Sequence, residues 1–237
     1  MPGPYGSRPA PHFPINHLVL AVPAVPAEPP PALICIDAGH ERTPDLSQEP
    51  IGPGSRILKI KDGGGTAGEA VVVLQLAWKT RKLLLERGLR VVMTRTGSEF
   101  IRGSGGNADR AAFCNRAGAA LMLRIHADGS SDPSRHGAST LYPALRQGWT
   151  DDIHASSKRA AGLVQRALVK ATGAADRGLV ARSDMTGFNW ADVPVVLAET
   201  GFLTNPRERP LLTSPAYQRR VARGLAEGAA AFVQSAR

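Results

Sequence analysis

Short apolar runs alternate along the chain with longer stretches in which apolar positions recur every three or four residues. These are the signatures of buried strands and of amphipathic helices. Leu33 to Ile36 is the first run and ends at Asp37. Residues 38–68 are rich in Gly and Pro and read as one long loop, of a length that points to function rather than mere connection. Between Glu69 and Arg87, the positions Val73, Leu76, Ala77, Thr80, Leu83 and Leu84 form one stripe. Arg81, Lys82 and Arg87 favour the C-terminal end, and Gly88 supplies a stop, so a helix is predicted. Val71 to Val73 alone would pass for a strand, but the length of the segment decides for helix. Further on, the pattern predicts a strand over 90–94, a helix over 107–118, a strongly apolar strand over 120–126 and a short strand over 139–142. A helix over 152–172 follows, with a stripe of Ala160, Leu163, Val164, Ala167 and Ala171, and then a buried strand over 193–198. Ser214 followed by Pro215 marks the cap and first turn of a last helix, which turns Tyr217, Val221, Leu225 and Phe232 inward. Strands separated by helices predict an α/β fold, a single domain with a mostly parallel central sheet and helices on both faces.

The first 31 residues break this pattern. They hold ten of the 19 prolines and only two charged groups, Arg8 and Glu28. Proline fixes φ and removes a backbone donor, so an extended tail is expected over 1–31 and the folded domain over 32–237. Inside the tail, Leu18 to Val22 followed by Ala-Val-Pro-Ala at 24–27 has the shape of a short, Pro-interrupted secretory signal. A degenerate signal and a linker both fit. Over the whole chain, 43% apolar and 21% charged residues are ordinary for a globular protein. No apolar run is long enough for a membrane-spanning helix. Twenty-nine Lys and Arg against 20 Asp and Glu leave a net charge of +9, which favours an acidic partner: nucleic acid, anionic lipid or an acidic polymer. With aromatics at 5% and no recognised base-reading motif, nucleic acid is not expected. Cys35 and Cys114, the two cysteines, exclude a disulfide framework and a cysteine-built zinc site; both read as small core residues rather than as a pair.

Four residues carry candidate chemistry. His40 and His126 stand just past or at the end of apolar runs, where open α/β sheets bind ligands. Glu69 opens the first helix, a position where the macrodipole favours a carboxylate. Glu199 ends the last apolar strand. Two imidazoles and a carboxylate are a zinc set that leaves a fourth position open, and a further carboxylate would supply a general base. The wide spacing between these residues is equally compatible with satisfied strand-end histidines and a helix-start charge. Asp37 is read either as a partner orienting His40 or as a residue capping its own turn. Arg110 and Asn115 read as organisers of helix and strand, His136 and His154 as solvated, and Asn189-Trp190 as lining a cleft or anchoring a loop.

The local contexts add a resemblance. Ile34-Cys-Ile-Asp-Ala-Gly-His40 resembles the first motif of the zinc-dependent N-acetylmuramoyl-L-alanine amidases, cell-wall hydrolases (autolysins) of bacteria and their phages, and Gly68-Glu69 resembles the second. Arg110, Asn115 and Leu-Arg-Ile-His126-Ala-Asp resemble the segment carrying the third. Asp176-Arg-Gly178 and Val195-Val-Leu-Ala-Glu199-Thr-Gly-Phe-Leu-Thr-Asn205 resemble the last blocks, in order. The resemblance spans about residues 32–235. It implies His40, Glu69 and His126 as ligands of one zinc ion and Glu199 as the catalytic carboxylate. It also implies hydrolysis of the bond between N-acetylmuramic acid and L-alanine in peptidoglycan or muropeptides, by a monomer working outside the cytoplasm, in cell wall or periplasm, or after phage-type release. Ala38, Glu41 and Arg124 depart from the usual Pro, Gly and small polar residue at those places. Some members carry a helix after the third-motif strand that plugs the site; the short span 127–151, with Pro133 and Pro143, predicts an open cleft here. Another zinc peptidoglycan hydrolase, of carboxypeptidase type, and a non-catalytic cell-wall regulator of the same fold are the alternatives.

Overall fold

A computed structural model describes residues 30–98 and 105–235. The expected tail and signal-like patch therefore lie outside the described residues, apart from Pro30 and Pro31. The described residues from Pro31 onward group as one compact unit.

The apolar runs became the strands of one six-stranded sheet. β1 (Leu33–Ala38), β4 (Arg90–Met93), β5 (Leu121–Asp128), β6 (Ala138–Pro143), β7 (Asp176–Arg182) and β8 (Val195–Phe202) lie in the order β4-β1-β5-β8-β6-β7. The first four in that order run parallel, β6 runs antiparallel to β8, and β7 is parallel to β6. β1 is buried along its whole length, as expected of a strand covered on both faces.

Two apolar clusters lie on the two sides of this sheet. One gathers Val73 and Leu76 of α1 (Glu69–Leu85), Val164 and Leu168 of α3 (His154–Thr172), and Val221 and Leu225 of α6 (Pro215–Gln234), against Ile34, Ile36, Leu123 and Val196. The other packs Ala111 and Cys114 of α2 (Asn107–Arg116) and Phe188 of α4 (Thr186–Asn189) against Cys35, Met122 and Leu197. Successive strand residues point to opposite faces, so Ile34 and Ile36 serve the first cluster and Cys35 the second. α6 begins as its sequence predicts, with the Ser214 hydroxyl accepting from the Tyr217 amide and Pro215 in the first turn. Where α6 crosses α3 it does so at Gly224 and Gly228; a Cβ on Gly228 would run into the Val164 backbone.

Four expectations need correction. The span 38–68 is not one loop: β2 (Asp45–Pro50) pairs antiparallel with β3 (Leu58–Asp62) as a separate two-stranded hairpin. Neither strand has a continuous apolar run, because both are largely exposed, and this is why the pattern hid them. β7 and the short helix α5 (Glu208–Thr213) escaped for the same reason, being mostly exposed. β8 continues past Ala198 to Phe202 and β5 past His126 to Asp128, so Glu199 and His126 sit within their strands rather than at the ends. Finally, Cys35 and Cys114 are joined by a disulfide with Cα atoms 5.6 Å apart, tying β1 to α2. Apolar burial, which suggested two separate small core residues, also puts facing cysteines in contact.

Candidate metal centre

β1, β5 and β8 are neighbours in the sheet and deliver the site at their C-terminal ends. His40 follows β1 directly and adopts a positive φ of 55°, a conformation a non-glycine residue takes only where its surroundings hold it. His126 lies on β5 opposite Glu199 of β8 in the parallel register, and paired residues on adjacent strands are about 5 Å apart. Glu69 enters from α1, which starts at Gly68 in the left-handed conformation. Its carboxylate is tied to β5 by the Ala127 amide (3.1 Å to Oε1) and to its own loop by the Thr66 amide (2.9 Å to Oε2).

These elements bring His40, Glu69 and His126 together, with one potential ligand atom from each within 4.8 Å of the others. Glu69 Oε1 is 3.5 Å from His40 Nε2 and 3.2 Å from His126 Nδ1. Burial alone would raise the Glu69 carboxyl, but the two imidazoles and the amide donors outweigh it and hold the group low. Burial pushes the His126 imidazole down, toward the neutral form that ligates metals. His126 Nε2 is buried without a hydrogen-bond partner. Two imidazoles, one of them with a buried orphan nitrogen, and a low-lying carboxylate brought together form a donor set that fits a divalent cation.

His40 is oriented by a residue the sequence did not single out. Its Nδ1 is 2.6 Å from Asp62 Oδ1 at the end of β3, which leaves Nε2 facing Glu69. Asp62 also accepts from the Glu41 and Gly64 amides; burial opposes ionisation, but these donors and His40 lower its carboxyl. This corrects one reading of Asp37. That carboxylate is fully buried and turned away from His40, bonded to Thr94 Oγ1, Arg110 and Arg124 at 2.6–2.8 Å. Burial would raise its pKa, yet the two guanidinium groups carry it well below the usual carboxylate range. Arg124, a departure from the family pattern, thus supplies the second cation of a buried trio and also reaches Asn107. Glu41, another departure, accepts from Arg110. Arg95 is buried too and donates to the carbonyls of Ala38, Gly39 and Ala70, pinning the turn that carries His40 to the start of α1. No periodic pattern marks either Asp62 or Arg95; the only signal was position, Asp62 standing before three consecutive glycines.

The backbone clears space for these side chains. The His126 ring lies against Gly39, and a Cβ there would overlap it. Glu49 of β2 accepts from the Asn107 and Ala108 amides and so caps α2 from outside. Burial pushes the Glu199 carboxyl well above its ordinary range, reinforced by Asp128 and Glu69, and Glu199 Oε2 is buried without a partner. Among the remaining expectations, Arg110 and Asn115 organise structure: Asn115 bonds the Trp190 carbonyl and Asp192. Asn189 and Trp190 anchor the hairpin through the Ile51 and Pro50 carbonyls rather than lining the cleft. His136 is exposed, whereas His154 is half-buried and bonds the Pro143 carbonyl. Residues 127–151 contain the end of β5, β6 and turns, with no helix.

Comparison with known proteins agrees with this geometry. The N-acetylmuramoyl-L-alanine amidase family matches residues 34–231. The amidase AmiA of Escherichia coli is 27% identical over 206 residues, 72% of this chain and 70% of that protein. A germination-specific N-acetylmuramoyl-L-alanine amidase of Bacillus subtilis is 29% identical over 70% of this chain and 73% of its own length. The crystal structure of the amidase Ami1 from Mycobacterium smegmatis matches with a TM-score of 0.75 at 27% identity, covering 86% of this chain and 97% of that one. A family model spanning nearly all of the described residues, beside a convergent His-Glu-His group, shows that the chain belongs to the N-acetylmuramoyl-L-alanine amidase family.

Proposed function

We propose that this amidase hydrolyses the amide between the lactyl group of N-acetylmuramic acid and L-alanine in peptidoglycan, with residues 32–237 as its catalytic domain. In this reading His40, Glu69 and His126 hold one zinc ion and Glu199 moves the proton. The observation that carries it is the convergence of the three ligand atoms with Glu199 one strand across from His126. A zinc ion held there would polarise the amide carbonyl and bring the pKa of a bound water toward about 7. Glu199 is placed to take the proton from the attacking water and return it to the departing alanine nitrogen, which cannot leave as an anion. Its burial and the acids beside it raise its proton affinity, as suits a group that must hold a proton between two transfers. Asp62 keeps His40 in one tautomer and one orientation.

The disulfide supports an oxidising compartment outside the cytoplasm, cell wall or periplasm, where such bonds persist. No helix among the described residues is long and apolar enough to cross a membrane. We read the enzyme as a monomer that acts on peptidoglycan or muropeptides and not on nucleic acid. Mass spectrometry of products from a defined muropeptide tests the reading, with the metal content of the protein measured alongside. The expected products are a free L-alanine amine and an intact lactyl carboxylate, with one zinc per chain. Release of a C-terminal amino acid would instead assign a carboxypeptidase.

A further inference from the structure

We propose that the groove between the C-terminal half of α1 and the start of α6 is a second binding site for the carboxylate-bearing wall polymer, distant from the reaction centre. This inference rests on the amidase reading for the identity of the polymer, but not for the existence of the site. Lys79, Lys82 and Arg87 line one side and Arg219, Arg220 and Arg223 the other, around a hollow of about 610 Å³. Glu86 is the one acid in the lining.

Two helices that pack side by side ordinarily place opposite charges along their seam, since like charges facing each other repel. Here cations face cations. Lys79 is half-buried beside Arg219, and neither makes an ion pair among the described residues. Lys82 and Arg223 meet carboxylates only loosely, at 3.9 and 4.0 Å, both on their own helices. An anion lying in the groove would relieve that repulsion. Four of the six cations are guanidinium groups, which match carboxylates with paired donors. Leu83, Ala216 and Ala222 form the remaining wall, and none of the exposed large apolar side chains lines it. That composition suits an extended anionic chain better than a bilayer, which calls for apolar groups to insert.

The position matters as much as the charge. Lys79 lies ten residues along α1 from Glu69, about 15 Å at 1.5 Å per residue, and the other groove residues of that side, Lys82 to Arg87, come later still. The same helix thus contributes a candidate metal ligand at its first residue and a polymer contact near its last turns. A polymer long enough to occupy both would be held at raised local concentration, whereas a short soluble muropeptide would occupy the reaction centre alone.

Co-sedimentation of the full chain with purified peptidoglycan sacculi, across a salt series, tests this. The comparison is wild type against Lys79→Glu/Arg219→Glu/Arg223→Glu. The expected result is a loss of about tenfold or more in sacculus affinity and a flatter salt dependence, with turnover of a soluble muropeptide unchanged. If charge reversal lowers the melting temperature, the Lys79→Gln/Arg219→Gln/Arg223→Gln set carries the test, with a smaller loss in the same direction. Wild-type affinity and salt dependence in the substituted protein would overturn the proposal. So would groove-dependent binding to vesicles of anionic phospholipid with none to sacculi, which would assign a membrane instead. Failure of the wild type to cleave the muropeptide would sink the amidase reading while leaving the sedimentation result to decide the groove.

Discussion

At the scale of single residues, the proposed function divides the site into groups that would hold zinc and one that would react. Glu199→Gln keeps the shape of the side chain but cannot accept a proton. It should retain zinc while turnover on a muropeptide falls by about 10²–10⁴-fold; a variant with near-normal turnover would remove Glu199 from the reaction. Asp62→Asn tests the other role. It keeps a hydrogen-bond acceptor beside His40 Nδ1 but removes the charge, and zinc affinity should drop by about 10–100-fold in a competitive chelator titration. Unchanged affinity would mean that His40 needs no orienting partner. His40, His126 and Glu199 were singled out in the sequence because they stand at or just past apolar runs, and Glu69 because it opens a helix; all four also fall in blocks that resemble one family. Asp62 was not, because its strand is exposed and carries no apolar signature. Asp37 was misread for a related reason: a carboxylate at a strand end looks the same whether it faces a histidine or a pair of buried arginines.

At the scale of elements, the amphipathic helices and buried strands followed directly from hydrophobic period. Those whose two faces are both wet, the β2–β3 hairpin and β7, did not. The pattern also says nothing about how closely two helices approach. α6 meets α3 at Gly228, where a methyl group would overlap the Val164 backbone. Replacing it by alanine favours helix propensity by up to about 1 kcal/mol, but the overlap should outweigh that gain. The net expectation for Gly228→Ala is a destabilisation of about 1–3 kcal/mol, the usual cost of overpacking, measured by urea denaturation. A more stable variant would show that the two helices separate freely.

At the scale of the whole molecule, two apolar clusters on opposite sides of one sheet hold the fold, and the disulfide ties β1 to α2 inside the smaller of them. Cys35 and Cys114 are 79 residues apart, so the bond closes a long loop of the unfolded chain; loop-closure entropy alone is worth about 4.5 kcal/mol. Cys35→Ala/Cys114→Ala should therefore unfold at clearly lower denaturant concentration, and zinc content should be unaffected under conditions where the variant stays folded. Equal stability of the two proteins would mean that the bond is dispensable. The pairing of His126 with Glu199 has a different kind of consequence. One rung of the ladder between two adjacent strands sets their spacing, and no connecting segment lies between them. The surface segments that follow β5 and β8 can then lengthen, shorten or change sequence to suit a new wall chemistry while the separation of these two side chains stays where the sheet puts it.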